Sequence, residues 1–274
     1  MIIVSENKNE VHLRQWSEFT WHMLESLPRA YYFKNKGKRI TMECNYHQND
    51  FYYFVDEIKT SADGSPGSSM QHSCIYTYEQ TCSWKDKWIA PPLKDHFKKM
   101  SYDIFAEHNI VLKKPLVVIN NKYSIEWGKP PICFFDLEFL DKVISELKHD
   151  YDIAYIRPFN NCETYFYDGQ KIFEWNDYEF IKEKHPNTIL ITDYNESFNR
   201  LQCCLEANSE KHISVAGGNA SLSSYFGGEV ITYDNTTDRG IWKTDSWLSK
   251  LSGAKIHGYR SHSQILEHIL KKWI

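Results

Sequence analysis

The chain has 274 residues, enough for one large or two small domains, and its 42% hydrophobic and 25% charged residues are those of a folded globular protein. A net charge of −4 gives no electrostatic footprint for nucleic acid, and no apolar run approaches the roughly 20 residues of a membrane span. The amino end, MIIVSENKNE, is too short and too acidic for a secretory signal.

The apolar run at residues 2–5 predicts a first strand, and the polar residues 7–9 a loop. From 16 to 34 apolar residues recur at helical spacing (Phe19, Met23, Leu24, Leu27, Tyr31), with Pro28 as a kink. Gly37 ends that helix, and residues 39–44 alternate as a second strand, so the opening reads as a βαβ unit. Residues 50–59 fit strand and helix alike, 61–69 (SADGSPGSS) form a flexible loop, and 71–80 suit a strand. A helix over 94–108 closes the first half, and a boundary is expected at 108–114.

Beyond it the pattern restarts. Strands are predicted at 115–120, 153–156, 188–192, 212–215, 229–232 and 255–258. Helices are predicted between and after them, at 134–147, 177–184, 197–206, 245–251 and 264–273. Continuous apolar strands alternating with amphipathic helices mean a parallel sheet covered on both faces. The fold class is therefore α/β, with two Rossmann-like domains facing one another.

Seven cysteines (44, 74, 82, 133, 162, 203, 204) include no Cys-x-x-Cys pair, so neither a disulfide framework nor a zinc knuckle is indicated. A reducing, cytoplasmic setting is the simpler expectation. Three glycan-acceptor triplets begin at Asn195, Asn219 and Asn235. They are read as chance, because one falls within the glycine turn described next.

Residues 211–233, KHISVAGGNASLSSYFGGEVITY, read as strand, glycine turn, helix opening and strand. Gly217 and Gly218 permit a sharp turn and a close approach by a ligand, and the helix behind them opens with unpaired N–H groups suited to phosphate. Asn219 and Ser221 are candidates to cap that helix or to bond a phosphate oxygen, with Ala220 between them. The same residues would equally serve an ordinary strand-to-helix turn.

In open α/β sheets ligands lie beyond the carboxyl ends of the strands. That rule gathers Asn120, Asn121, Lys122 and Tyr123; Arg157; Thr192, Asp193 and Tyr194; Gly217 to Ser221; and Asp234. Lys122 and Arg157 supply cations for a diphosphate, Asp193 or Asp234 a partner for a ribose hydroxyl, and Tyr194 a flank for a base. Each also has a plainer use: the cations as surface charges, Asp193 as a helix cap. No Walker loop, Gly-x-Ser-x-Gly elbow or His-Glu-x-x-His helix is present. The Asp-x-Asp at Asp150 and Asp152 sits between a helix end and a strand start, whereas metal-dependent sugar transferases carry it after a strand.

With SVAGGNASLSS in view, the second half resembles the donor-binding domain of GT-B glycosyltransferases, in which a strand, glycine turn and helix opening hold a nucleotide sugar's diphosphate. The resemblance implies an acceptor-side domain over 1–110, a donor domain over 111–260, and a final helix (261–274) crossing back to the first domain. The segment WHMLESLPRAYYFKNKGKRITM resembles the first helix and second strand of that fold, where a histidine at the helix opening serves as base. His22 is the matching residue, although Trp21 stands where the family has glycine; Glu18 and Asp63 are further candidates. The size and residue style are also similar to small sugar transferases of large algal viruses, a xylosyltransferase among them.

The implied function is transfer of a sugar from a nucleotide sugar, a UDP-sugar such as UDP-xylose, to a glycan hydroxyl. No metal or other cofactor is required on this reading, because cations and the helix terminus would stabilise the departing diphosphate. The partners are the nucleotide sugar and the glycan acceptor. A nucleotide-sugar epimerase or hydrolase of the same fold, or a non-catalytic nucleotide- or glycan-binding module, are the competing readings.

Overall fold

A computed structural model describes residues 2–15, 22–61, 89–125, 130–159, 172–235 and 248–274. The described residues up to Pro92 form one compact unit and those from Leu93 onward a second. Among them no helix is long and apolar enough to cross a membrane.

The first unit carries a four-stranded sheet in the order β1 (Ile2–Glu6), β2 (Glu10–Arg14), β3 (Arg39–Asn45), β4 (Glu57–Ser61). The first two strands are antiparallel and the remaining pairs parallel. Asn7 makes the hairpin: its Oδ1 accepts the N–H of Asn9 and of Glu10, both at 2.8 Å. The βαβ unit expected from the sequence exists, but its first strand is β2 rather than β1. In β2, Val11 and Leu13 are buried on one face, an alternation too short to stand out beside the polar residues before it.

Between β2 and β3 a widened π-type turn at His22–Ser26 runs into α1 (Leu27–Asn35). Pro28 lies within the first two positions of α1, where its missing N–H costs no intrahelical bond. The proline thus marks a junction between two helical windings. The ambiguous stretch resolves into a 3-10 turn at Tyr46–Tyr52 followed by β4.

The second unit is a six-stranded, wholly parallel sheet: β5 (Leu116–Asn120), β6 (Asp152–Ile156), β7 (Ile189–Leu190), β8 (Ser209–Val215), β9 (Glu229–Tyr233) and β10 (Lys255–Tyr259). Their spatial order is β7-β6-β5-β8-β9-β10. That is the doubly wound order of a dinucleotide-binding fold, with β5 as its first strand. All five residues of β5 are buried, as a central strand covered on both faces requires. Among the described residues the helices include α2 (Leu93–Glu107), α3 (Leu137–Leu147), α4 (Asp177–Lys184), α5 (Phe198–Ala207), α6 (Gly218–Tyr225) and α7 (His262–Lys272). Asp136 starts α3 by accepting the Phe139 N–H at 2.8 Å.

Two expectations about the domain plan change. Helix α2, assigned from the sequence to the first half, belongs to the second unit. Its Phe97 ring lies 6.3 Å from that of Phe226, and Asn208 Nδ2 donates to Ser101 Oγ at 2.8 Å. The closing helix α7 likewise belongs to the second unit. Ile265 and Ile269 are buried, His262 stacks on Phe139 at 4.5 Å, and Trp273, just past the helix, accepts the Tyr151 hydroxyl on its carbonyl.

Candidate functional site

Between β5 and β8 the strand order reverses, and at such a switch point the loops leaving the two strands turn toward opposite faces of the sheet. The crevice so formed has Asn120-Asn121-Lys122 on one side and Val215-Ala216-Gly217 on the other. Gly217 has φ 137° and ψ −154°, a region open essentially to glycine alone. This turn aims the chain into α6, whose start no side chain caps. The first-turn N–H groups of Gly218, Asn219 and Ala220 thus have no acceptor within the helix.

Lys122 reaches across the crevice to this turn. Its half-buried ammonium donates to the Ala216 carbonyl at 2.9 Å, and a Cβ placed on Gly217 would lie 3.7 Å from it. One cation, a set of backbone donors and the positive end of a helix therefore converge, which is the chemistry of an anion cradle. The two glycines divide the work: Gly217 makes the turn, and Gly218 is the first helical residue.

Beneath the turn lies a buried polar network. Asn120 Nδ2 donates to Glu206 Oε1 at 2.5 Å and to Ser223 Oγ at 3.1 Å, and Ser223 Oγ is 2.9 Å from the same carboxylate oxygen. His212 Nδ1 is 2.6 Å from Glu206 Oε2. The four side chains come from β5, α5, β8 and α6 and are fully buried, so they fix α6 to the sheet under the turn. Ser221, proposed for a phosphate, instead turns its hydroxyl back to the Gly217 carbonyl at 3.2 Å.

The other sequence candidates divide. Asn121 is consumed by the fold. Its Oδ1 accepts the N–H of Lys122 and of Phe135, and its Nδ2 donates to the Phe135 carbonyl and the Tyr155 hydroxyl. Arg157 is not a second cation for the crevice. It is buried, with Nε and Nη2 gripping Asp177 at 2.5 and 2.6 Å. The Tyr178 ring lies 5.0 Å from its guanidinium, and the Tyr178 hydroxyl bonds both the N–H and the C=O of Arg157. Burial, followed by the Asp177 charge, drives the neighbouring Tyr155 hydroxyl well above its ordinary pKa, so it stays a neutral donor to Asp177.

Tyr123 stacks on Trp175 at 4.8 Å, edge-on to Phe134 at 5.0 Å. Trp175 also lines a depression of about 620 Å³ together with Arg157, Phe159, Tyr178, Glu179 and Thr192. Thr192 and Asp193 follow the edge strand β7, two strands from β5, and Asp193 pairs with Lys182 at 2.7 Å. The Tyr194 ring packs 5.7 Å from that of His108. Asp234 is buried immediately after β9, next to β8.

Of the proposed bases, His22 opens the π-type turn; Glu18 and Asp63 lie outside the described residues. Asp152 of the Asp-x-Asp motif heads β6, at the amino end of the sheet, and accepts the N–H of Lys113 and Lys114. Among the described cysteines all four are buried. Burial, with a contribution from Glu43, pushes the Cys44 thiol up to about 12, far from nucleophilic.

Sequence reasoning missed the aromatic cluster beside Lys122, the Asp177 partner of Arg157 and the Glu206 network. The Phe173-Glu-Trp175 run just before a predicted helix was the available signal for the first. The other two join residues 20 and 86 positions apart and have no local signature.

No protein-family profile and no curated protein sequence matches the chain. Among solved structures it is similar to a glycosyl transferase of family 9 from Veillonella parvula DSM 2008, at 8% identity. That match covers 98% of this chain and 91% of the other, with a TM-score of 0.55. The fold is that of the GT-B glycosyltransferases. The E. coli heptosyltransferase WaaC, solved with ADP, is also similar, at 10% identity over 96% of this chain and 98% of that one (TM-score 0.49). Within the GT-B plan, the crevice at Lys122 and Gly217 belongs to the carboxyl-terminal unit.

Proposed function

We propose that the chain is a glycosyltransferase that takes a sugar from a nucleotide sugar, a UDP-sugar such as UDP-xylose, and passes it to a hydroxyl of a glycan acceptor. The observation that carries the reading is the Lys122 ammonium held against the Gly217 turn at the reversal point of a doubly wound sheet. The GT-B fold agrees with it.

On this reading the diphosphate sits on the first-turn N–H groups of α6, with Lys122 alongside. The acceptor oxygen forms its bond to the anomeric carbon while the bond from that carbon to the diphosphate oxygen breaks. A base takes the acceptor's proton, and the candidates for it are His22, Glu18 and Asp63. Negative charge grows on the departing diphosphate, where Lys122 and the helix terminus stabilise it without a metal. The Tyr123–Trp175 stack, beside the same strand end, offers a flat apolar flank for a base or a sugar.

The test is thermal shift and calorimetry with UDP and UDP-sugars in EDTA. UDP is expected to raise the melting temperature with the metal chelated. Lys122→Ala should weaken UDP binding by about 10- to 100-fold, the worth of a charge-assisted contact. Release of UDP only when an acceptor is added separates transfer from epimerisation or hydrolysis. The absence of a shift with any nucleoside diphosphate would overturn the reading.

A further inference from the structure

Away from the glycine turn, three side chains of ligand type meet on one face of the sheet edge. Glu229 opens β9. In the parallel register Lys255 lies opposite Glu229 and His257 opposite Ile231, so His257 of β10 is two positions along on the same face as Glu229. His268 comes from α7. Glu229 Oε1 is 2.9 Å from His268 Nε2 and 3.1 Å from His257 Nε2. The donor atoms of all three residues lie within 4.8 Å of one another.

We propose that Glu229, His257 and His268 bind a divalent transition-metal ion of the zinc class, which clamps α7 to β9 and β10.

Two imidazoles and one carboxylate are zinc's usual ligands, at about 2.0–2.1 Å. Around a tetrahedral centre such bonds set donor-to-donor edges of about 3.3 Å. The two edges to Glu229 Oε1 are within a few tenths of an ångström of that value. The hydrogen bonding is incomplete in the way a cation would complete it. His268 Nε2 bonds Glu229 Oε1, and His257 Nε2 lies 3.1 Å from the same oxygen without the alignment of a full hydrogen bond.

A supporting partner is also in place: Tyr259 Oη is 2.7 Å from His268 Nδ1. Ion binding moves the imidazole proton from Nε2, where it bonds Glu229, to Nδ1, where it is donated to that oxygen, so that Nε2 presents its lone pair to the ion. The Glu229 and His257 side chains are 23% and 36% exposed, which gives the ion a route from solvent and leaves room for a water as fourth ligand.

Two cations oppose the ion: Lys255, opposite Glu229 in the strand register, and Lys211. The Lys211 ammonium lies over the Trp273 ring at 4.4 Å, and 3.6 Å from the other Glu229 oxygen. It leaves Oε1 to the metal but adds like charge nearby, so it sets the affinity lower than the ligand set alone would. The site lies toward the amino ends of β9 and β10, apart from Lys122 and Gly217. The ion is thus structural and takes no part in the transfer proposed above.

The test uses the full chain, stripped with EDTA and desalted, titrated with Zn²⁺ against a chromogenic chelator and with Co²⁺ followed by visible absorption. One ion per chain, a tetrahedral Co²⁺ spectrum and a rise in melting temperature of about 5 °C or more at saturating Zn²⁺ are expected. His257→Ala, on the edge strand, should weaken Zn²⁺ binding at least about tenfold with an unchanged far-UV spectrum of the apo chain. Lys211→Met should tighten it, and carries the test should His257→Ala not fold. No Zn²⁺ uptake at millimolar free ion overturns the proposal. So does equal affinity in the wild type and His257→Ala, or an affinity unmoved by Lys211→Met.

Discussion

Arg157 and Asp177 form a two-pronged ion pair in which both side chains are buried. Taking two charges out of water consumes most of their attraction, so the pair contributes little net stability while intact and much instability when halved. Asp177→Ala leaves a buried guanidinium without its counter-charge and is expected to cost about 3–5 kcal/mol in urea unfolding. The double variant Arg157→Met, Asp177→Leu should recover most of that loss. A rival view, in which Arg157 serves the crevice, predicts that Arg157→Met impairs nucleotide binding as strongly as Lys122→Ala does. Lys122 could be found in the sequence because one rule, strand end beside glycine turn, places it. Arg157 obeys the same rule and ends elsewhere, since only the fold brings Asp177 beside it.

At the scale of elements, the turn into α6 is the piece on which the candidate site depends. Gly217→Ala forces a Cβ into backbone angles that L-residues rarely adopt, at a cost of about 1–3 kcal/mol. The nearest heavy atom to that Cβ is the Lys122 ammonium at an ordinary 3.7 Å, so the penalty is strain rather than collision. The variant should melt earlier by thermal scan and bind UDP more weakly, because relieving the strain moves the first-turn N–H groups. In the second unit β5 was easy to read, since it is buried on both faces and its Leu116 to Ile119 form an unbroken apolar run, while β8 and β9 were marked by the glycine turn between them. β2 and the 3-10 turn before β4 were not, because short alternating or aromatic stretches carry no distinctive period. The strand order itself is a matter of tertiary pairing, and the alternation of strands and helices left it open.

Over the whole molecule, acid should act in two stages. Burial holds the His262 imidazole below its ordinary 6.5 despite Asp136 nearby, so the unfolded chain takes up that proton first. Stability from this group is full above 6.5 and is lost as pH falls through and below that value. Asp56 and Asp141 lie below the ordinary carboxylate value of 3.8, chiefly through hydrogen bonds from Lys34 and Lys184. Their share is present above that value and disappears as pH drops further. Melting temperature measured from pH 8 to 3 should therefore show a shallow decline below 6.5 and a second below about 4. His262→Phe should shrink the first stage, to which His257, also held low by burial, contributes, and Asp56→Asn with Asp141→Asn should shrink the second.

The reversed strand order also dictates a sequence of events while the chain is being made. β5 has β6 as one neighbour within a few dozen residues, but its other neighbour, β8, ends at Val215, 95 positions after Asn120. At ribosomal rates of about 5–20 residues per second, that flank of the innermost strand waits roughly 5–20 s for its mate. Nascent chains stalled anywhere in that interval present a bare LVVIN ribbon to whatever else is emerging nearby, and should be captured by chaperones or precipitate. Chains released after Val215 should not.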